Sequence, residues 1–305
     1  MATRVHARKL EAEDKHFATA RIRVSPLNPV IGAEIEGVDL REPLDGETFA
    51  EVKAAFDAWS VLVFRDQHLT NDDHKRFARL FGPLHVHPYH AKNVAPEHAQ
   101  TSAFPDQVPD PEILVVKADR NSKFVAGEDW HTDVSCDAEP PMGSMLYLTK
   151  TPEIGGGDTC FASTTRAYDM LSEPMKAFAQ TLAAVHDGAK PYTGGYGTPP
   201  PEGGWPKNTH PVVTRHPDTG KKALFVNRGF TTRIVGLARK ESDALLEMFW
   251  RHIETTLECQ CRVKWMPNTL VFWDNRVTQH HAVWDYYPYA RYGRRVSIVG
   301  ARPAA

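Results

Sequence analysis

The stretch "EDWHTDVSC" (residues 128–136) places an imidazole and a carboxylate two positions apart, at His131 and Asp133. Residues i and i+2 of a β-strand project from the same face, so a strand here would bring both side chains together. Two histidines and one carboxylate hold non-haem Fe(II) and leave coordination positions open for other ligands. The pair therefore predicts part of a metal site, although His and Asp are also common at caps and turns.

Two regions of the chain could supply a further imidazole. The first is "WDNRVTQHHAVWDYYPYARYGRR" (273–295), where His280 and His281 are adjacent and only one can face inward if the segment is a strand. The second is "HVHPYH" (85–90), which has two histidines but no nearby carboxylate. The spacing of the residues leaves both regions open.

The composition is that of an ordinary globular protein of 305 residues, with 41% hydrophobic and 24% charged residues. A formal net charge of −2 gives no reason to expect nucleic acid or an anionic membrane surface as a partner. No apolar run approaches the roughly 18 residues that cross a bilayer, and the first residues lack the apolar core of a signal peptide. We therefore expect a cytoplasmic protein whose four cysteines are reduced, mostly buried thiols.

Strand-like segments dominate the chain, and only a few helical segments interrupt them. Helical spacing of apolar residues predicts helices at 45–59, 70–82, 163–182 and 238–256. Short apolar or alternating runs predict strands at 60–66 and in "EILVVKAD", "GSMLYLTK", "GDTCFAS", "HPVVTRH", "KALFVN", "CRVKWMPNTLVFWDN" and "RRVSIVG". Many short strands with Gly and Pro turns favour a β-sandwich or barrel.

Neither a repeat nor a linker divides the chain. Residues 1–20 are polar and highly charged, so we expect a flexible arm, followed by a single domain over 21–305. The segment 190–208 is too rich in Gly and Pro for regular structure. Loops of this length in compact domains usually act as lids or are disordered. If the segment has a function, we expect it to be a lid over the site.

Four motifs in the same order make the chain resemble the taurine dioxygenase (TauD/TfdA-like) family of Fe(II)- and 2-oxoglutarate-dependent dioxygenases. The motifs are "WHTD" at 130–133, "GGDT" at 156–159, "FVNRGFTTRI" at 225–234 and "WDNRVTQHHAVWDY" at 273–286. The resemblance runs from "IGAEIEGVDL" near the start to "RRVSIVG" near the end. It implies a distorted double-stranded β-helix, a relative of the jelly roll and the cupins, with flanking helices.

The resemblance also implies roles for individual residues. His131, Asp133 and His280 would be the metal ligands. Arg291 would pair with the distal carboxylate of 2-oxoglutarate, a task that suits its planar and permanently charged fork. The other implied contacts are Thr159 and Arg295 with the co-substrate, and His87, Tyr89 or His90, Val134, Phe230 and Arg295 with the substrate. The family's taurine-contacting asparagine corresponds to Gly127 in this chain.

The activity implied by the resemblance is oxygen-dependent hydroxylation of a small organic anion, with 2-oxoglutarate converted to succinate and CO2. A sulfonate such as taurine would release sulfite and an aldehyde; an alkyl sulfate ester or an aryloxyalkanoate is the alternative substrate. A zinc hydrolase or a metal-binding barrel without turnover is the alternative of another class, although a hydrolase has no need for Arg291. A homodimer or homotetramer is the assembly that the resemblance implies.

Overall fold

The regular structure consists mainly of short β-strands, as expected. The structure is a computed structural model that describes residues 13, 15, 18–87 and 110–305. Tyr89 lies outside the described residues, as does most of the expected N-terminal arm. In chain order the strands are β1 (Arg23–Pro26), β2 (Ala33–Glu36), β3 (Val61–Phe64), β4 (Leu84–His85), β5 (Leu114–Ala118), β6 (Gly143–Lys150), β7 (Thr159–Ser163), β8 (Ala183–Asp187), β9 (Lys207–Pro211), β10 (Val213–Arg215), β11 (Lys222–Leu224), β12 (Thr231–Ile234), β13 (Gln260–Val263), β14 (Thr269–Asp274), β15 (Thr278–Ala282) and β16 (Arg291–Ile298).

A few helices flank the strands. The α-helices are α1 (Gly46–Trp59), α2 (Asn71–Arg79), α3 (Thr164–Met170), α4 (Glu173–Ala179) and α5 (Arg239–Thr255). A π-helical turn spans Lys190–Gly195 and a 3₁₀ turn spans Leu257–Cys259. Within the described part of the chain, none of the helices combines the length and the apolar character that a membrane span requires.

The largest sheet has eight strands and forms the wall behind the site described below. Seven of its strands lie side by side in the order β1-β2-β3-β14-β6-β16-β4, and β5 also pairs with β16. The pairing of β2 with β3 is parallel, and the pairings of β14 and β16 with their neighbours are antiparallel. Among the described residues, three smaller sheets complete the strand pairing, in the orders β13-β7-β15, β12-β8-β9 and β10-β11.

Every residue of β3 and β14 is buried, because both faces of the large sheet are covered. Alternate side chains serve opposite faces. On one face Phe272 stacks on Phe56 of α1, with ring centroids 3.8 Å apart. On the other face Val271 and Trp273 pack with Phe161 of β7. The second face therefore meets the β13-β7-β15 sheet, and the functional side chains lie between these two layers.

The segment 163–182, predicted as one helical stretch, is two helices. Leu171 and Ser172 have extended backbone conformations between α3 and α4. Pro174 follows in the first turn of α4, where its missing N–H costs no helical hydrogen bond, whereas the same ring in the interior of one long helix would clash with the preceding turn. The proline therefore starts the second helix.

Three other expectations also differ from the structure. The helix predicted over 70–82 ends at Arg79 rather than at Gly82. The strand β8 was not predicted, because its alternation is short and follows a helical pattern directly. The segment 190–208 is not wholly irregular, since it begins with the π-helical turn and ends in β9.

We expect Phe272→Ala to lower the free energy of unfolding by about 3–5 kcal/mol, because the substitution empties a fully buried ring position in the stack with Phe56. Urea denaturation followed by circular dichroism measures the change. Phe178→Ala is the matched control, since Phe178 is 41% exposed, and its effect should stay within about 0.5 kcal/mol. Equal losses in the two variants would contradict this account of the core.

Candidate metal centre

A single antiparallel bridge brings His131 to His280. The backbone N–H of His131 donates to the carbonyl of His280 at 3.0 Å, and the N–H of His280 donates back to the carbonyl of His131 at 2.9 Å. Directly opposed residues of an antiparallel pair project to the same face. The two imidazole rings accordingly lie with their centroids 4.1 Å apart.

The predicted strand through residues 131–133 does not continue beyond this bridge. His131 is an isolated bridge residue, and Asp133 begins a turn. The chain leaves the neighbouring strand because Val134 adopts a φ of 47°, in the left-handed region that β-branched residues avoid. The hydroxyl of Thr132 donates to the carbonyl of Thr278 at 3.0 Å and holds the turn against β15. The convergence of the two side chains thus comes from the turn and not from strand alternation.

Three potential ligands meet at this point. The nitrogen and oxygen atoms that His131, Asp133 and His280 can offer to a metal lie within 4.8 Å of one another. Oδ1 of Asp133 is 3.7 Å from Nε2 of His131 and 3.9 Å from Nε2 of His280. Across residues 13, 15, 18–87 and 110–305, this is the only group of three His, Cys, Asp or Glu side chains with such geometry.

The rival cluster "HVHPYH" does not form such a group within the described ranges. Nε2 of His85 lies 3.2 Å from Oδ2 of Asp137, a contact away from the candidate ligands. His87 instead contacts Tyr192, whose hydroxyl lies 3.3 Å from Nε2 of the imidazole. The remaining residues of the motif, 88–90, lie outside the described residues.

The orientation of the ligands fits a divalent metal ion. Nδ1 of His131 lies 2.8 Å from the carbonyl of Asp129, which can only accept, so this nitrogen carries the proton and Nε2 keeps its lone pair towards Asp133. Two imidazoles and one carboxylate on one side of a cavity are the donor set of non-haem Fe(II) sites. The roles of the three residues as ligands stay a prediction.

The charges around the site keep the donors in the form that a metal requires. Burial alone would raise the pKa of Asp133, but the guanidinium of Arg295 and the adjacent imidazoles outweigh burial and hold that pKa well below its ordinary value. Burial, together with the neighbouring ring of His131, lowers the pKa of His280 well below its ordinary value. Asp133 is therefore a carboxylate and His280 a neutral imidazole at neutral pH.

The three donors line a cavity of about 380 Å³. Within the described residues, the predicted site residues at its wall are His87, His131, Asp133, Val134, Thr159, Phe230, His280, Arg291 and Arg295. The structure thus brings together all of the sequence-predicted site residues that it describes. Tyr89 and its alternative His90 fall outside the described residues.

Arg291 is a buried cation at the far wall of the cavity. Its Nε and Nη2 have no hydrogen-bond partner among the described residues, and its guanidinium lies over the ring of Trp265, 5.4 Å from the ring centroid. Nε1 of Trp265 donates to Oγ1 of Thr159 at 3.0 Å, so the proton of that hydroxyl is free to go to another acceptor. A buried guanidinium with unused donors beside a free hydroxyl proton fits a carboxylate.

The arginines of β16 divide between two faces. Arg291 and Arg295, four positions apart, both line the cavity. Arg294 instead donates to the carbonyl of Leu69, behind the sheet. Nη1 of Arg295 donates to Oδ1 of Asp133. Strand alternation therefore places two cations in one cavity, one at the far wall and one beside the candidate ligands.

An apolar wall faces the imidazoles. Val134 and Phe230 form a buried cluster with Tyr192 and Cys136, and Tyr192 and Phe230 meet edge to face with centroids 5.8 Å apart. Sequence reasoning did not single out Tyr192, because it lies in the Gly- and Pro-rich segment that we expected to be irregular. The π-helical turn places its hydroxyl against His87.

Gly127 also lines the cavity and contributes no side chain to it. Its φ is 92°, and a Cβ added there would lie 3.0 Å from Cε1 of His131. Both the backbone conformation and the close approach of the imidazole therefore require glycine. The family's taurine-contacting side chain has no counterpart at this position.

A mostly β fold that holds two imidazoles, one carboxylate and a buried arginine around one cavity is the architecture of the oxygenase class that the sequence motifs suggest. The family model described as "Taurine catabolism dioxygenase TauD, TfdA family" matches residues 23–297. The chain belongs to this family. Its structural neighbours have the jelly-roll fold, which confirms the predicted fold class.

Relatives and solved structures agree with the family. An alpha-ketoglutarate-dependent sulfonate dioxygenase of Saccharomyces cerevisiae is 33% identical over 93% of this chain and 68% of that protein. An alpha-ketoglutarate-dependent sulfate ester dioxygenase of Pseudomonas putida is 33% identical over 92% of this chain and 90% of its own length. The crystal structure of a taurine dioxygenase from Burkholderia xenovorans superposes with a TM-score of 0.76 at 34% identity, covering 93% of this chain and 91% of the other.

We expect His280→Ala to abolish tight binding of a divalent metal and His281→Ala to retain it. His280 is buried among the candidate ligands, whereas His281 faces away and stacks on Trp130 with centroids 5.6 Å apart. Anaerobic titration with Fe(II) or Co(II) measures the difference. The reverse result, with loss only in His281→Ala, would exchange the two assignments.

Proposed function

We propose that the protein is an Fe(II)- and 2-oxoglutarate-dependent dioxygenase that hydroxylates a small organic anion, most directly a sulfonate such as taurine. The observation that carries the proposal is the pairing of two features in one cavity: the three candidate ligands and the buried guanidinium of Arg291 with unused donors. A hydrolase built on the same ligands would have no use for that guanidinium. The relatives' names support the same class of reaction.

His131, Asp133 and His280 would hold the metal. Bound Fe(II) supplies activation of O2, coupled to the conversion of 2-oxoglutarate to succinate and CO2. The protein contributes the orientation of the donors: the carbonyl of Asp129 fixes the tautomer of His131, and the bridge to β15 fixes the position of His280.

Arg291 and Thr159 would hold the distal carboxylate of 2-oxoglutarate. The planar guanidinium can donate two parallel hydrogen bonds, and Thr159 can donate one more, because Trp265 already occupies one of its lone pairs. Burial strengthens these contacts, since no water competes for the carboxylate. The keto acid end of the co-substrate would then extend towards the ligands.

Arg295 and His87 would select an anionic substrate. Arg295 supplies a fixed charge beside the ligands, and His87 supplies a ring nitrogen that Tyr192 orients. Val134 and Phe230 would cover the apolar part of the substrate and keep water out. If the hydroxylated carbon carries a sulfonate, the C–S bond breaks and releases sulfite and an aldehyde; a sulfate ester would release sulfate and an aldehyde.

A sulfate ester or an aryloxyalkanoate is the second candidate substrate, and Gly127 favours it. A side chain at this position is excluded by the backbone and by His131, so the wall offers no polar group where the family contacts taurine. A single domain over 21–305, a homodimeric or homotetrameric assembly and a cytoplasmic location stay predictions from the sequence.

A panel of sulfonates, sulfate esters and phenoxy acids, scored by succinate formed with Fe(II), 2-oxoglutarate and O2, should reveal at least one substrate that couples strongly. Anaerobic protein with Fe(II) and 2-oxoglutarate should show a weak visible charge-transfer band. The hydrolase would replace this proposal if neither the band nor succinate appears and the protein instead hydrolyses an ester with Zn and without O2.

Arg291→Gln should raise the concentration of 2-oxoglutarate needed for half-maximal succinate formation by roughly 10- to 100-fold, because it removes a charged, two-bond contact. Arg239→Gln is the matched control, since the Arg239 side chain is 79% exposed and pairs with Asp243 on the same helix, α5. Its requirement should equal that of the wild type. An unchanged requirement in Arg291→Gln would mean that another group anchors the co-substrate.

A further inference from the structure

The second oxygen of Asp133 has a partner of its own. Oδ1 faces His131 and His280, whereas Oδ2 lies 2.8 Å from the hydroxyl of Ser144 in β6. Ser144 is fully buried, and its Oγ also lies 2.9 Å from Oγ of Ser297. None of the sequence motifs marks Ser144, which sits among the buried, mostly apolar residues of β6.

The direction of the hydrogen bonds behind Ser144 follows from one tryptophan. Nε1 of Trp273 can only donate, and it lies 3.0 Å from Oδ1 of Asn275. The backbone N–H of Asp133 donates to the same oxygen at 3.4 Å. Two donors therefore fix this atom of Asn275 as the oxygen, and its Nδ2 is the atom 3.1 Å from Oγ of Ser144.

The single proton of Ser144 then has one destination. Its Oγ accepts from Nδ2 of Asn275, and Oδ2 of the Asp133 carboxylate, whose Oδ1 pairs with the guanidinium of Arg295, is an acceptor. The hydroxyl of Ser144 must therefore donate to Oδ2 of Asp133, while the hydroxyl of Ser297 donates to the remaining lone pair of Ser144. The hydrogen bonds therefore run from Trp273 through Asn275 and Ser144 to the carboxylate of Asp133.

We propose that Ser144 is a positioning residue that donates to Oδ2 of Asp133 and so holds the carboxylate with Oδ1 turned towards His131 and His280, an inference that rests on the metal centre proposed above. A carboxylate that bound through both oxygens would take up a coordination position needed by the co-substrate or O2. Ser144 and Asn275 together hold the carboxylate plane so that only one oxygen meets His131 and His280.

Ser144→Ala tests this role, with Ser297→Ala as the matched control and Ser144→Thr as the conservative variant. Anaerobic titration with Co(II), without substrate, measures the dissociation constant and the d–d absorption spectrum. Ser144→Ala should bind Co(II) about 10- to 100-fold more weakly, because the carboxylate is no longer held in one orientation. Its spectrum should also change, because the carboxylate is then free to bind through both oxygens. Ser297→Ala removes a hydroxyl from the same cluster without touching Asp133, and should match the wild type. Ser144→Thr keeps the hydroxyl and should restore both readouts.

An unchanged dissociation constant and spectrum in Ser144→Ala would overturn the inference, as would equal changes in Ser297→Ala, which would indicate cluster packing. If Ser144→Ala does not fold, Ser144→Cys tests the same hydrogen bond, because a thiol is a weak donor and should leave Oδ2 of Asp133 poorly held. Wild-type protein that binds no Co(II) would overturn the proposed function as well. Wild-type binding with an unchanged Ser144→Ala overturns this inference alone.

Discussion

Two backbone hydrogen bonds between His131 and His280 determine the geometry of the whole site. They oppose the two residues across one antiparallel bridge, so the imidazoles meet without any side-chain contact that has to hold them together. β15 is itself held by β7, in a register that pairs His280 with Phe161 and Ala282 with Thr159. The same strand pair therefore carries one candidate ligand and one candidate co-substrate contact on a common face.

Buried charge is the second constraint, and the site distributes it unevenly. The cation of Arg295 and the carboxylate of Asp133 compensate each other, whereas Arg291 has two unused donors, with the ring of Trp265 over its guanidinium and the side chain of Tyr286 beside it. An uncompensated buried charge destabilises a fold. Such a cost persists where the charge serves a ligand, and it marks the end of the cavity where an anion would bind.

The parts of the site that the sequence could predict are those with local motifs. The spacing of His131 and Asp133 predicted part of a metal site, whereas the choice of His280 and the role of Arg291 came from the resemblance to the family. The strand patterns of the large sheet follow from apolar runs. The turn at 131–134 could not be predicted, because the positive φ of Val134 contradicts the preference of a β-branched residue. Ser144 and Asn275 could not be predicted either, since their partners come from distant strands and no spacing within the sequence relates them. The π-helical turn that carries Tyr192 lies in a segment whose composition resembles that of a loop.

Val134 combines an unfavourable backbone conformation with a place in the apolar wall, and this combination limits how the protein can change. Glycine would adopt the same φ without strain and lower the energy of the folded chain locally. It would also remove the branched side chain that packs with Phe230 and Tyr192. Relief of the backbone strain and loss of buried packing therefore act on stability in opposite directions, so a change at this one position alters the turn beside the candidate ligands and the apolar wall together.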